Sequence, residues 1–410
     1  MTNRFAIETF PDFLKFVSDN FKIMTIQEVR SAQDWKLFHS LPHRIYKNDP
    51  NWICPLEGDV QGTFTPGKNN TLQHGEAKCF VLTDDQGQPL GRIAAFIDHR
   101  NNQLQPYPVG GIGYFECIDD DACARLLFQA AEAYLKEKGI KAVDGPINFG
   151  GRDKFWGLLV KGFLPPLFQE NYQPTYYQSF FADNGYLPFE QILTMKGKMD
   201  VDMSRFKAVI DRISRNNNIR VETYDYKKLD KYADDFAIVY NAAFGGSTHF
   251  RPAEPAGFKK IMKEAAMILE PKLLAIAYCE EEPAGFCAFF PDINPILKPL
   301  KGKMQWWKIP GFLYRLRTAK TMGCRGTGFG VNPKFKTKGI FAFIVDFMNT
   351  DYLKRRYPDF YCTTVRAHNT EAVNIYYKMG TFIERVHIAY RKSLDPNIEV
   401  IPNMFLELED

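Results

Sequence analysis

The sequence predicts a mixed α/β protein built as two consecutive units, each a mixed, mostly antiparallel sheet flanked by helices. Three observations predict it. Two long passages, 23–200 and 218–410, run through the same order: strand, helices, hairpin, strand, long helix, strand, short helix, strand. Short turns, QGQP at 86–89 and EEP at 281–283, separate β-rich runs in each passage. Between the passages, 201–217 reads as a helix and connector, and Asn216, Asn217 and Asn218 mark a turn and a domain boundary. Residues 1–22 are an N-terminal extension.

In the first passage a strand near 23–31 precedes a helix over 32–47 and a Gly-, Pro- and Asn-rich loop over 55–75. The hairpin CFVLTDD and LGRIAAFIDH follows, then a strand over 110–118 and a long helix over 120–138. A strand over 141–148, a short helix around 174–184 and an alternating strand over 191–200 close the unit. The second passage opens with a strand over 218–225 and helices near 231–244 and 254–269. The hairpin KLLAIAYCE and AGFCAFFPD is followed by an irregular insertion over 295–323 and a strand over 324–331. A helix over 338–356 rests on the helical spacing of Ile340, Phe343, Ile344, Phe347 and Met348. A strand over 359–367, a helix over 370–379 and a strand over 382–393 complete it.

At 410 residues the chain is too long for one ordinary core. Its 45% hydrophobic and 24% charged residues are those of a folded protein rather than a disordered one. A net charge of +4 gives no case for general nucleic-acid binding. The eight cysteines form no C-x-x-C pair and lie mostly in apolar runs, which reads as buried thiols in a reducing compartment. The seven histidines show no metal-ligand spacing, so no metal is expected. No run reaches the ~20 apolar residues of a membrane span, and the N-terminus lacks a signal-peptide core. The expectation is a cytoplasmic protein, and its oligomeric state is left open.

Two stretches carry chemistry. In GFGVNPKFKTKGIFAF (328–343) a strand ends at Val331, and Pro333 prevents further pairing. Lys334, Lys336, Lys338 and Gly339 then lead directly into a helix. A helix N-terminus attracts anions, and glycine lets a phosphate approach the backbone. A diphosphate such as that of coenzyme A fits; a solvated basic turn capping a core helix fits as well. In VRAHNTEAVNIYYKMGTF (365–382) Asn369 is an N-cap residue, and Ala372, Ile375, Tyr376 and Met379 follow at helical spacing. Gly380 stands where a helix C-cap belongs. Tyr376 and Tyr377 point about 100° apart, so the two phenols do not serve one core together.

The block Asn369, Ala372, Tyr376, Gly380 resembles the last motif of the GNAT superfamily of acyl-CoA N-acyltransferases. The segment Val331 to Phe341 is similar to that family's pyrophosphate loop: Lys336 stands for its Gln or Arg, Gly339 matches, and Phe341 departs from its Gly or Ala. The resemblance covers about 219–394 well and 23–200 in strand order, which implies two tandem GNAT-like domains. Placing Gly185 on Gly380 puts Pro174 at the Asn369 position and Phe181 at the Tyr376 position. Asp119, Asp120 and Asp121 open the first unit's long helix, where carboxylates repel a diphosphate. The first unit reads as a degenerate copy.

The resemblance implies direct transfer from acetyl-CoA or another acyl-CoA to a small-molecule or peptide amine. The diphosphate would rest on backbone N–H groups of Lys336, Thr337, Lys338, Gly339 and Ile340. A main-chain N–H at Gly330 or Val331 would polarise the thioester. Tyr376 would protonate the leaving thiolate, and Asn369 would hold the pantetheine arm or its loop. His368 is the first candidate for general base, ahead of His387, Asp292, Glu384 or a water chain. Tyr240, His249 and Arg251, in VYNAAFGGSTHFRP (239–252), would meet the acceptor; a simple interhelix turn fits that stretch as well. The basic, aromatic insertion 296–320, which has no acid, reads as a lid or as surface packing with snorkelling cations. Pro310 and Gly311 count there against an amphipathic membrane helix. A catalytically silent binding protein of the same fold and a Fem-like aminoacyltransferase are the competing classes.

Overall fold

Alternating apolar runs separated by turns give thirteen strands, and in the computed structural model, which describes residues 24–215, 218–245 and 252–407, all of them join one sheet. The first seven are β1 (Thr25–Glu28), β2 (Gly75–Thr83), β3 (Pro89–Asp98), β4 (Val109–Cys117), β5 (Ala142–Gly145), β6 (Leu158–Lys161) and β7 (Leu187–Lys198). The other six are β8 (Ile219–Thr223), β9 (Leu274–Cys279), β10 (Glu282–Pro291), β11 (Gly323–Val331), β12 (Asp359–Arg366) and β13 (Phe382–Ser393). Their spatial order is β1-β2-β3-β4-β5-β13-β7-β12-β11-β10-β9-β8, with β6 on β13. Pairing is antiparallel except at β4–β5 and β11–β12.

This order exchanges the closing strands of the two halves. The first half's β7 pairs with β12 of the second, Met195 opposite Cys362. The second half's β13 pairs with β5 of the first, Tyr390 opposite Gly145. β7 and β13 pair with each other in the middle. The cores follow the exchange: Leu193 and Met195 of β7 pack with Phe360, Cys362 and Tyr376, while Tyr390 packs with Phe128, Phe181 and Tyr186. Each half therefore lacks a sheet neighbour without the other.

Most predicted elements form near their expected bounds, with informative differences. The helix expected over 338–356 divides into Ile340–Met348 and Asp351–Arg356, because the Thr350 hydroxyl accepts from the Leu353 N–H and starts a new helix. The strand expected over 141–148 stops at Gly145, since Pro146 has no N–H to offer the ladder. The short β6 lies in what read as loop. The insertion holds a helix, Ile309–Thr318, which corrects the expectation that Pro310 and Gly311 interrupt one. Pro310 sits in the first turn, where its missing N–H costs nothing, and Phe312 and Leu316 anchor the helix in the core.

Candidate active site

The strands β11 and β12 pair over four residues only, Gly323 to Gly326 against Asp359 to Cys362. Beyond that point β11 stays with β10 and β12 stays with β7, so a wedge opens between them. A bulge in β11 opposite Ala288–Phe290, with Gly328 at φ 82, drives the divergence. The Tyr376 side chain fills the base of the wedge. A Cβ on Gly328 would lie 2.7 Å from the Tyr376 hydroxyl and 3.2 Å from Cys362 Sγ, so only glycine fits there. Tyr376 is buried, and burial, the Cys362 thiol beside it and their hydrogen bond push its phenol well above the ordinary range, against the opposing bond to the Phe329 backbone. A phenol held that way stays protonated at neutral pH. Tyr377 is exposed.

At the open end of β11 the chain turns through a 3₁₀ stretch, Pro333–Lys338, rather than an extended loop. Asn332 Oδ1 takes the Lys334 N–H, and Phe335 is buried beneath. Gly339 adopts φ 65 and is the N-cap of the helix Ile340–Met348, with no side chain capping it. Its missing Cβ makes room for Ile213, which would stand 2.5 Å away, so the connector helix Ser204–Ser214 packs against this end. Val331 is half-buried, Thr337 is exposed, Lys334 pairs with Glu282, and Lys336 pairs with Glu371. Asn369 caps the helix Thr370–Lys378, its Oδ1 accepting from the Ala372 N–H at 3.1 Å.

The other side of the sheet carries polar groups that sequence reading passed over. Glu190 of β7 is buried and accepts from Arg152 at 2.5 Å, with Arg366 Nε at 3.3 Å. Burial works to raise its carboxyl, but the two guanidiniums outweigh burial and hold it below the usual range. His368, just past the end of β12, has a buried Nδ1 without a hydrogen-bond partner among the described residues. Burial lowers its pKa from the ordinary value, Glu190 opposes, and Arg366 and Arg152 add to the lowering, so the imidazole is neutral at pH 7. Tyr240 shares this neighbourhood, with Asp153 and Arg366 as its charged neighbours. His249 and Arg251 lie outside the described residues.

Deeper between the halves, Arg325 of β11 donates to the Asp153 carbonyl at 3.0 Å and to Thr363 Oγ1 at 2.9 Å. Asp292 accepts the Phe168 N–H at 2.9 Å, and burial raises its carboxyl to about 6. His387 lies 3.0 Å from the Asn171 carbonyl, and Glu384 pairs with Lys196 and Arg385. Sequence reading missed Arg152, Glu190, Arg325 and Arg366. The first two stand far from the motif in the chain: Glu190 reaches it on the exchanged strand, and Arg152, between β5 and β6, reaches it through Glu190. The alternation of Glu190, Thr194 and Lys196 in β7 was the available sign.

The chain is 28% identical over 320 residues to a Caulobacter vibrioides protein named bacterial ceramide synthase, covering 77% of this chain and 82% of that one. It is 24% identical over 374 residues to Protein YghO of Escherichia coli, covering 89% and 94%. Among solved structures, a tandem GNAT protein from the clavulanic acid biosynthesis pathway superposes with a TM-score of 0.54 over 92% of this chain and all of that one, at 10% identity. No family profile matches the chain. The fold is that of the tandem GNAT proteins.

Proposed function

We propose that this chain is an acyl-CoA-dependent N-acyltransferase, with the acyl-CoA site in 218–410 and an acceptor surface shaped in part by 23–200. The wedge between β11 and β12, with a protonated Tyr376 at its base, carries the reading. The connector 201–217 links these two units. A pantetheine arm laid in the wedge pairs with the free edges of the diverging strands. The uncapped end of the helix Ile340–Met348 suits a diphosphate through the N–H groups of Gly339 and Ile340, while the 3₁₀ stretch turns those of Lys336, Thr337 and Lys338 onto its own carbonyls, which corrects the expectation that all five serve.

The acceptor amine attacks the thioester carbon; a C–N bond forms and the C–S bond breaks. Neutral His368 takes the proton leaving the nitrogen, and Tyr376 gives its proton to the departing thiolate. The N–H of Gly330 or Val331 meets the carbonyl oxygen as charge develops on it. Asn369 holds the turn that places both groups, and Tyr240, His249 and Arg251 border the acceptor. The similarity to a ceramide synthase favours an amine on a long-chain, lipid-like molecule over a peptide, since a ceramide is the amide of a long-chain amino alcohol.

Titration calorimetry with acetyl-CoA and palmitoyl-CoA, followed by thiol release in the presence of long-chain amino alcohols, tests this. Binding with acceptor-dependent release of coenzyme A is expected. No binding of either thioester at high micromolar concentration removes the proposal. Binding without release on any amine leaves a silent binding protein.

A further inference from the structure

The insertion between β10 and β11 presents a surface that neither the core nor the proposed chemistry uses. Residues 296–320 hold seven of the 52 Lys and Arg and no Asp or Glu, which leaves 45 bases against 48 acids in the rest of the chain. Phe312 and Leu316 bury the inner face of the helix Ile309–Thr318. The outer side and the turn before it expose Trp306 at 78%, Trp307 at 57% and Tyr314 at 70%. The two indoles touch edge to face, with centroids 5.7 Å apart. Lys303 lies 4.0 Å from Glu57, and Lys298 donates to the Pro50 carbonyl, so these two tie the insertion to the first half. Arg315, Arg317 and Lys320 are exposed and make no ion pair with any described residue.

We infer that this insertion docks the protein on an anionic bilayer surface. Adjacent exposed indoles and a phenol are costly in water and favourable at the level of lipid headgroups, where one side of the ring is apolar and the other wet. Cations that flank them without competing acids match anionic headgroups. The indoles are turned against each other rather than laid out as parallel platforms, which suits a headgroup layer better than stacked bases. Among the described residues no helix is long and apolar enough to cross a membrane, so the contact is one of surface. The inference does not rest on acyl transfer, because vesicle binding is read without substrate.

Co-sedimentation of the full chain with vesicles of phosphatidylcholine, alone or mixed with phosphatidylglycerol, tests it. Binding to the mixed vesicles is expected, weaker on the neutral ones and falling with salt. R315Q/R317Q/K320Q should lower the partition coefficient roughly tenfold to a hundredfold. W306S/W307S should lower it about tenfold on both vesicle types. Equal binding to both vesicle types, or undiminished binding by the double tryptophan variant, overturns the inference. So does tighter binding to single-stranded RNA than to mixed vesicles, lost in the same variant, which would make the surface a nucleic-acid platform.

Discussion

The two halves contain the same wedge-forming element, and they treat it in opposite ways. Tyr114 in β4 and Gly328 in β11 occupy matching places, each at a bulge and each with positive φ, 51 and 82. In the first half the strand's polar groups on both sides of the bulge are bonded within the chain. The segment after β5 continues alongside β4, with the Ile147 N–H on the Ile112 carbonyl at 2.8 Å. Tyr177 accepts the Cys117 N–H at 2.7 Å and lies 2.9 Å from Glu116, whose buried carboxyl faces Arg92. At the places of Glu116 and Cys117 the second half has Gly330 and Val331. Asp120 caps the first half's long helix, whereas Gly339 leaves its counterpart uncapped. The C-terminal turns match: Gly185 and Gly380 have φ 79 and 78, and the next N–H returns to Phe181 and Tyr376 respectively. The bulge belongs to the fold, then, while a bare helix N-terminus beyond it and a phenol at the place of Phe181 do not.

The sharpest way to break this contrast is at the paired positions Tyr376 and Phe181. Tyr376→Phe should lower kcat by about 10² to 10⁴-fold with acyl-CoA affinity little changed, the range for loss of a general acid. Phe181→Tyr should add no activity, and it should cost about 1–3 kcal/mol by burying a hydroxyl among apolar rings. If Tyr376→Phe retains full turnover, the phenol is a packing residue like its counterpart.

A second test concerns His368, which the first half does not match. Its lowered pKa keeps the imidazole neutral across physiological pH; on the proposed role as base, kcat/KM should rise through a midpoint below 6.5 and then stay level. His368→Gln should lower kcat/KM by about a hundredfold and erase that limb. An unchanged pH profile in the variant assigns the limb to another group.

The third concerns Gly328. Alanine there would push against the Tyr376 hydroxyl at a φ that side chains rarely adopt, for a loss of about 1–3 kcal/mol in stability. Activity should fall with it, because the Cβ enters the wedge. Chemical denaturation measures the first effect and thiol release the second; a variant as stable as the parent would mean that the wedge is wider than the geometry implies.

The fold's order was legible in the chain because each element announces itself locally: helical spacing at 340–348, alternation at 191–200, N-caps at Asn369 and Asp120. The exchange of β7 and β13 was not, since strand order along the chain is the same whichever half a closing strand joins. That exchange hid Glu190 and Arg152. Both stand in the first half by sequence, yet both meet Arg366 and His368 only after β7 has crossed. Tyr376 was legible because a phenol at a core-facing helical position, opposite a phenylalanine in the copy, asks for a reason beyond packing. The 3₁₀ turn at 333–338 was not, because Pro333 and the lysines are equally compatible with an extended loop.

The smallest expected effect lies at the tie between the halves. Asp292, at the end of β10, holds the first half's Phe168 N–H, and burial raises its carboxyl from an ordinary 3.8 to about 6 despite that donor and Arg325. The sign follows from which state binds the proton. Below pH ~4 folded and unfolded chains both carry the neutral acid, and its contribution is complete. As pH rises towards 6 the unfolded chain ionises first, so the contribution is lost, and at pH 7 a carboxylate sits buried at a net cost. An asparagine amide in its place would keep an oxygen for the Phe168 N–H and carry no charge. Asp292→Asn should therefore be more stable than the parent by roughly 1–3 kcal/mol at pH 7.5 and indistinguishable from it near pH 4. Denaturant melts at the two pH values decide it: a variant less stable at pH 7.5 would mean that the carboxylate is needed there, paired with Arg325, and that the halves are joined by charge rather than by a neutral hydrogen bond.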